Sequence, residues 1–234
     1  ALGEASGQPV SDIMDTWTKQ TGYPFLDASI NRGKSGIRVS LSQSRFLYEH
    51  LLNDGDVPRQ TWKVPVTIRA ATSSNHFKHL MDSETTTISI KSDSLAPTTK
   101  WVKVNPDQPG FYRVRYAAEE LENLTTPIKN QELPALDRLG IQSDAYALTK
   151  AGFIPVTHFL ALAEAYQNET DASVCSDLAA NLNSMDNLLS DETFHSSFQA
   201  FARNIFMPIG HKVGWDPRDG ESHRDALLRS TVLS

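Results

Sequence analysis

Hydrophobic positions along the chain change period once, and that change divides it. From Ser6 to Tyr23, Val10, Ile13, Met14 and Trp17 recur at three- and four-residue steps, which predicts one amphipathic helix ended by Gly22-Tyr23-Pro24. From Phe25 to about Val104 the period is two, as in Ile37-Arg38-Val39-Ser40-Leu41, Val64-Pro65-Val66-Thr67-Ile68 and Thr86-Thr87-Ile88-Ser89-Ile90. Such alternation is that of half-buried strands. Turn signals at Asn31-Arg32-Gly33-Lys34-Ser35-Gly36 and Asn53-Asp54-Gly55-Asp56 separate them at the spacing of an antiparallel sandwich. Lys100 to Val104 and Phe111 to Tyr116, the latter after Pro109-Gly110, bring the expected number of strands to six or seven.

After Tyr116 the period becomes helical and stays so, which marks a domain boundary near Ala117. Expected helices run from Ala118, over Leu133 to Ala151 with Gly152 as a stop, Pro155 to Tyr166, Ala172 to Leu189 and Glu192 to Val213, and a last one follows Pro217. Ser190 or Asp191 is the expected N-cap of the Glu192 helix. Pairs of ~40 residues resemble the unit of an α-solenoid. The expected fold class is therefore α+β in several domains, an antiparallel β-sandwich followed by an all-α array of the HEAT or armadillo kind.

Composition narrows the function classes. Of 234 residues, 39% are hydrophobic and 21% charged, enough apolar surface for a core. A formal charge of −6 supplies no global basic field, so no nucleic-acid partner is expected. No run approaches ~18 apolar residues, so no membrane partner is expected either. Cys175 is the single cysteine and excludes an internal disulfide. With no leader at Ala1, it points to the cytoplasm. Two acceptor tripeptides, Asn123-Leu124-Thr125 and Asn168-Glu169-Thr170, matter only along a secretory route. The start at Ala1 and a finish inside the apolar run Asp225 to Leu233, without a glycine stop, have the pattern of an excised piece.

Candidate chemistry is sparse. His76 and His79 are three apart, but no acid or cysteine stands beside them at ligand spacing. His50, His158, His195, His211 and His223 are scattered, and His-Glu-x-x-His is absent. Gly33-Lys34-Ser35-Gly36 lacks the upstream glycine of a phosphate loop and reads as a turn. Cys175 shares an apolar helix face with Leu178, Ala179 and Leu182, as an inert core thiol would. Asp137-Arg138 stands near a helix start, where the acid favours the first turn and the arginine can pair with a neighbour. Phe194, Phe198, Phe201 and Phe206 read as a core stripe. No catalytic, cofactor-binding or metal-ligating residue is assigned.

Several longer stretches stand in a specific order: Met14-Asp15-Thr16-Trp17-Thr18-Lys19-Gln20-Thr21-Gly22-Tyr23-Pro24, Ser42-Gln43-Ser44-Arg45-Phe46, Trp62-Lys63-Val64-Pro65-Val66, Pro109 to Tyr116, Asp137-Arg138-Leu139-Gly140-Ile141-Gln142-Ser143-Asp144, then Trp215-Asp216-Pro217-Arg218 and Asp225-Ala226-Leu227-Leu228-Arg229. Together they resemble the C-terminal half of an M1-family zinc aminopeptidase, nearest the puromycin-sensitive branch. The resemblance implies the last helix of a catalytic domain over 1–24, a β-sandwich over 25–116 and the first part of a helical domain over 117–234. It implies a parent that removes N-terminal residues from peptides by metal-activated water attack. The family's zinc and amine-binding motifs lie upstream and match no position here, so zinc belongs to the parent and this fragment is expected to be inactive. Its expected partners are the missing domains of the same polypeptide, and its uncovered end helices favour a non-native dimer. The alternative is a free-standing protein- or peptide-interaction module. A different hydrolase built on His76 and His79 fails for lack of further ligands and a base.

Overall fold

The computed structural model describes residues 2–48, 60–71, 73, 76–91 and 99–233. His50 and the expected turn at Asn53-Asp54-Gly55-Asp56 lie outside them. The chain divides into two compact units, residues 1–123 with 150–153, and residues 124–149 with 154–234.

The first unit opens with two short helices, α1 (Leu2–Ser6), ahead of the helix expected over Ser6 to Tyr23, and α2 (Val10–Thr18), which lies inside that span and is shorter at both ends. The break is local: Gly7 takes φ 64°, and Pro9, which lacks an N–H, fits the start of a helix and not its interior. No residue of α2 is buried, although Val10, Ile13, Met14 and Trp17 share a face. Seven strands follow among the described residues: β1 (Pro24–Gly33), β2 (Gly36–Arg45), β3 (Val64–Ala70), β4 (Phe77–Met81), β5 (Thr85–Lys91), β6 (Val102–Val104) and β7 (Arg113–Tyr116). They form a four-stranded sheet in the order β5-β2-β1-β7 and a three-stranded sheet in the order β4-β3-β6.

Alternation decides which side chains go inward. Leu26, Val39 and Leu41 from the larger sheet and Val64, Val66 and Ile68 from the smaller are buried, while Ser29, Ser40 and Thr87 face away. Gln43 of β2 ties the chain before β3 to the larger sheet. Its amide donates to the carbonyls of Trp62 (2.9 Å) and Ser83 (2.8 Å), and the Trp62 N–H donates to its Oε1 (2.8 Å). The Val104 N–H likewise donates to the Tyr116 hydroxyl (2.8 Å).

One pairing departs from the antiparallel expectation. β7 lies parallel to β1, Phe25 opposite Arg113 through Ala28 opposite Tyr116. β7 is reached by a crossing from β6 in the other sheet and not by a hairpin, so its direction is free of the hairpin constraint. That crossing is tight: Asn105, Asp107 and Gln108 have φ of 58°, 61° and 55°. The Asn105 amide holds it by exchanging two 2.9 Å hydrogen bonds with the Gly110 backbone. The buried Lys103 adds Nζ–H donation to the carbonyls of Val104 (2.6 Å) and Asn105 (3.0 Å). A Cβ at Gly110 would stand 2.1 Å from the Tyr112 ring, so the turn requires glycine there.

The chain passes into the second unit within α3 (Ala118–Lys129). Then come α4 (Ala135–Lys150), α5 (Val156–Ala163) running into a 3₁₀ turn (Glu164–Tyr166), α6 (Ala172–Leu188), α7 (His195–Val213) and α8 (His223–Leu233). Asp171 caps α6, its Oδ1 accepting from the N–H groups of Ser173 (2.9 Å) and Val174 (3.2 Å). α7 begins three residues later than expected. Its N-cap is Phe194, without a side-chain cap, and residues 190–194 are turn, so neither Ser190 nor Asp191 caps it. The Asp186 carboxylate instead meets the His195 ring at 2.7 Å. Ile141, Leu148, Phe159, Leu162, Leu178 and Ile205 are among the buried side chains of this unit. The arrangement is α+β, as the change of period predicts.

Candidate functional site

The sequence candidates do not converge. His79 lies on β4 with its Nε2 2.8 Å from the Thr86 hydroxyl, and His76 stands 3.8 Å from the Asp107 carboxylate. Among the described residues no three His, Cys, Asp or Glu side chains come together to hold a metal ion. Gly33 to Gly36 is the β1–β2 hairpin. A Cβ at Gly36 would fall 2.0 Å from the Ile90 carbonyl oxygen, so the turn is pressed against β5 and offers no phosphate cradle. Cys175 is buried against Ile209 and Leu228, and burial pushes its thiol up to about 12, helped by the negative charges of Glu169 and Asp171. Such a thiol is no nucleophile at neutral pH. Of the phenylalanine stripe, Phe198 is buried but Phe194 is 51% exposed, so the stripe is only partly core.

Asp137-Arg138 proves the most consequential pair. The second unit is built around Arg138, whose guanidinium forms a two-pronged pair with Glu169, both contacts at 2.7 Å and both side chains buried. It also donates to the Leu133 carbonyl. Glu169 Oε1 accepts further from the N–H groups of Thr170 (2.7 Å) and Asp171 (2.8 Å). The Tyr166 hydroxyl donates to the Arg138 carbonyl at 2.7 Å, and burial pushes its ionisation far above the ordinary range. Gln142 Nε2 donates to the Val174 carbonyl at 2.8 Å. Hydrogen bonding to Glu169 keeps Arg138 charged against the cost of burial. The network thus clamps the start of α4, the 3₁₀ turn and the start of α6. Glu169 stands 31 residues from Arg138, and only the Asp171 cap had a local signature in sequence.

Two of the concavities among the described residues lie on the second unit. One, of about 420 Å³, lies under the α7–α8 connection. Arg229 pins that connection by donating to the Gly214 carbonyl (2.9 Å) and pairing with Glu221 (2.5 Å), which holds the Glu221 carboxyl down to about 2. The other, of about 650 Å³, is a groove bounded by Ala179 and Leu182 of α6, Phe206 and Met207 of α7, Trp215 and the last turn of α8. Met207 is 50% and Trp215 76% exposed, a large apolar display for a folded surface. The arrangement offers apolar binding surface.

Comparison with known proteins places this geometry. Residues 101–234 match the ERAP1-like C-terminal domain. Over its full length the chain is 36% identical to Aminopeptidase M1 of Arabidopsis thaliana, of which it covers 27%. It is 31% identical to glutamyl aminopeptidase of Bitis rhinoceros, covering 24% of that protein. Across 99% of its length it is 29% identical to puromycin-sensitive aminopeptidase of Caenorhabditis elegans, again covering 24%. The chain spans about a quarter of the length of the curated relatives it matches.

Proposed function

Because the chain belongs to the ERAP1-like C-terminal domain family of M1 aminopeptidases, we infer that it is a non-catalytic portion of an enzyme that removes N-terminal residues from peptides. In this reading residues 1–24 finish the catalytic domain, residues 25–116 are a spacer sandwich, and residues 117–234 begin a helical lid that restricts access to peptide-sized substrates. The observation that carries it is the alignment of the whole chain with one quarter of several aminopeptidases.

In this reading zinc, which the resemblance implies for the parent, is held by residues elsewhere in the polypeptide; among the described residues of this chain no three His, Cys, Asp or Glu side chains come together. What this chain contributes is mechanical. The Arg138–Glu169 clamp ties the start of α4 to the chain entering α6. No helix among the described residues is long and apolar enough to cross a membrane. In this reading the parent is a cytoplasmic peptidase, in keeping with the single cysteine, with peptides and its own remaining domains as partners.

The test is the mass of the native polypeptide in its source cells, with zinc content and aminoacyl-arylamide hydrolysis measured on that polypeptide and on this chain. A band far above 25.9 kDa, with activity and zinc in the native enzyme alone, is expected. A native band at 25.9 kDa, or hydrolysis by this chain with stoichiometric zinc, would overturn the reading.

A further inference from the structure

We propose that β5 is a self-pairing edge, through which two copies of this chain join antiparallel about a two-fold axis at Ile88 and make one continuous sheet. The direction of each backbone group along β5 follows from one bond. Gln43 and Glu84 stand opposite each other one step beyond the Ser42–Thr85 pair, and the Gln43 N–H donates to the Glu84 carbonyl at 2.9 Å. In an antiparallel ladder such bonded pairs alternate with unbonded ones. Thr86, Ile88 and Ile90 therefore turn their N–H and C=O groups to β2, and Thr85, Thr87, Ser89 and Lys91 turn theirs to the opposite side. The 3.3 Å approach of the Ser40 and Thr87 hydroxyls agrees, since side chains come closest in unbonded pairs. On that opposite side no strand among the described residues pairs with β5, which ends the β5-β2-β1-β7 sheet. The Ser83 hydroxyl donates to the Thr85 carbonyl at 2.9 Å, and the backbone groups of Thr87 and Ser89 form the middle of the open edge.

What an open edge accepts is set by its own sequence. β5 is neutral from Thr85 to Ile90, contains no proline and pairs with β2 in unbroken register, so it carries neither the inner charge nor the bulge that stops strand addition. A second copy turned about Ile88 matches it from end to end. Ile88 then opposes Ile88, Thr86 opposes Ile90, and Thr87 of each copy exchanges N–H···O bonds with Ser89 of the other. Ile88 is half-buried in the single chain, so the pairing covers apolar surface that remains open there. On the outer face each Thr87 hydroxyl meets a Ser89 hydroxyl, a favourable cross-strand pair. Lys91 of each copy comes level with Thr85 of the other, next in the chain to Glu84, so unlike charges meet at both ends and no like charges oppose. This charge match makes a second copy the occupant, in an isologous contact. A slip of one residue would set outer hydroxyls against inner isoleucines, which fixes the register. The inference does not depend on the peptidase reading.

The experiment is oxidative cross-linking with diamide, in this 234-residue chain and in the native polypeptide. In Ile88→Cys the two thiols face each other across the axis at disulfide distance, whereas in Thr86→Cys they lie several residues apart, so the first is expected to give a dimer band at least about tenfold stronger than the second. The buried Cys175 of the unsubstituted chain gives no such band. Equal bands from the two variants would mark random collision and overturn the proposal, as would a stronger band from Thr86→Cys. Dimer from the chain but not from the native polypeptide would show that another part of the polypeptide covers β5, and would overturn it too. Sedimentation of the unsubstituted chain gives a second readout, free of any effect of the cysteines on folding. A seven-residue strand pair is smaller than a standard interface, so a dimer with Kd of about 10–100 μM is expected. Thr87→Pro removes an N–H that β2 does not use, and is expected to keep the far-ultraviolet dichroism of the fold while holding the mass at one chain. A single-chain mass for the unsubstituted protein up to about 1 mM, or a dimer that survives Thr87→Pro, would overturn the assignment.

Discussion

The two units bury different kinds of polar contact. In the sheet unit most strands alternate, so Leu26, Val39 and Val66 go inward while Ser29, Ser40 and Thr67 do not reach the same depth, and its buried Gln43, Lys103 and Asn105 bond mainly to backbone groups. In the helical unit the central helix α4 buries Asp137, Arg138, Gln142 and Asp144 along with Ile141, Ala145 and Leu148. The inward face of a sandwich strand is specified by which alternate positions are apolar. The helical unit also has an apolar core, but the start of α4 is tied to the chain entering α6 by a buried, charge-assisted network that a pattern of hydrophobic residues does not encode.

The sharpest way to break this contrast is to remove one member of the network. Glu169→Ala leaves Arg138 buried without its partner, and urea unfolding is expected to show a loss of about 3–5 kcal/mol. The double replacement Arg138→Met with Glu169→Leu removes both charges and is expected to recover most of that loss. If it recovers nothing, the pair is more than a clamp. In the sheet unit the corresponding probe is a cavity: Leu41→Ala, at a side chain 2% exposed, costs about 2–4 kcal/mol, with no partner replacement able to restore it short of refilling the volume.

Smaller effects sharpen the comparison. Asp171→Ala removes the cap of α6 and is expected to cost about 1 kcal/mol by thermal melting. The Glu221–Arg229 pair gives a pH signature confined to the helical unit. Because Glu221 is held down to about 2 in the folded chain, its contribution is present above the ordinary carboxylate range and is lost as pH falls from there towards 2. Melting followed from pH 5 to 2 should show a steeper fall in the parent chain than in Glu221→Gln. A matching slope in both would dismiss the pair as a contributor. At the alkaline side Cys175, pushed up to about 12, should resist thiol reagents at pH 8 until the helical unit unfolds.

Much of the architecture was legible in sequence because period is a local property. Val64 to Ile68 alternates in the sequence and alternates in burial, and Leu178 and Leu182 fall on the buried face of α6 as their spacing requires. Where local signals compete, boundaries moved: Gly7 and Pro9 delay the first expected helix to Val10, and Phe194 took the place expected of Ser190 or Asp191 at the start of α7. The candidate surfaces were less legible. Arg138 was visible as a charge near a helix start, but nothing near it announced Glu169. Phe194 and Phe206 read as members of one core stripe, yet Phe194 is exposed while Phe206 packs partly buried against Cys175, Ile209 and Leu228.

The amino-acid sequence by itself determined the order of strands and helices, the inward faces of the sandwich, and kinship with the M1 aminopeptidases, since each depends on residues close together or on ordered words along the chain. The tertiary structure alone decided that β7 runs parallel to β1, that Arg138 closes on Glu169, and that Cys175 packs against Ile209 and Leu228. Those outcomes join residues dozens of positions apart. Their energy comes from desolvation and from partner geometry, which exist only once the elements have packed.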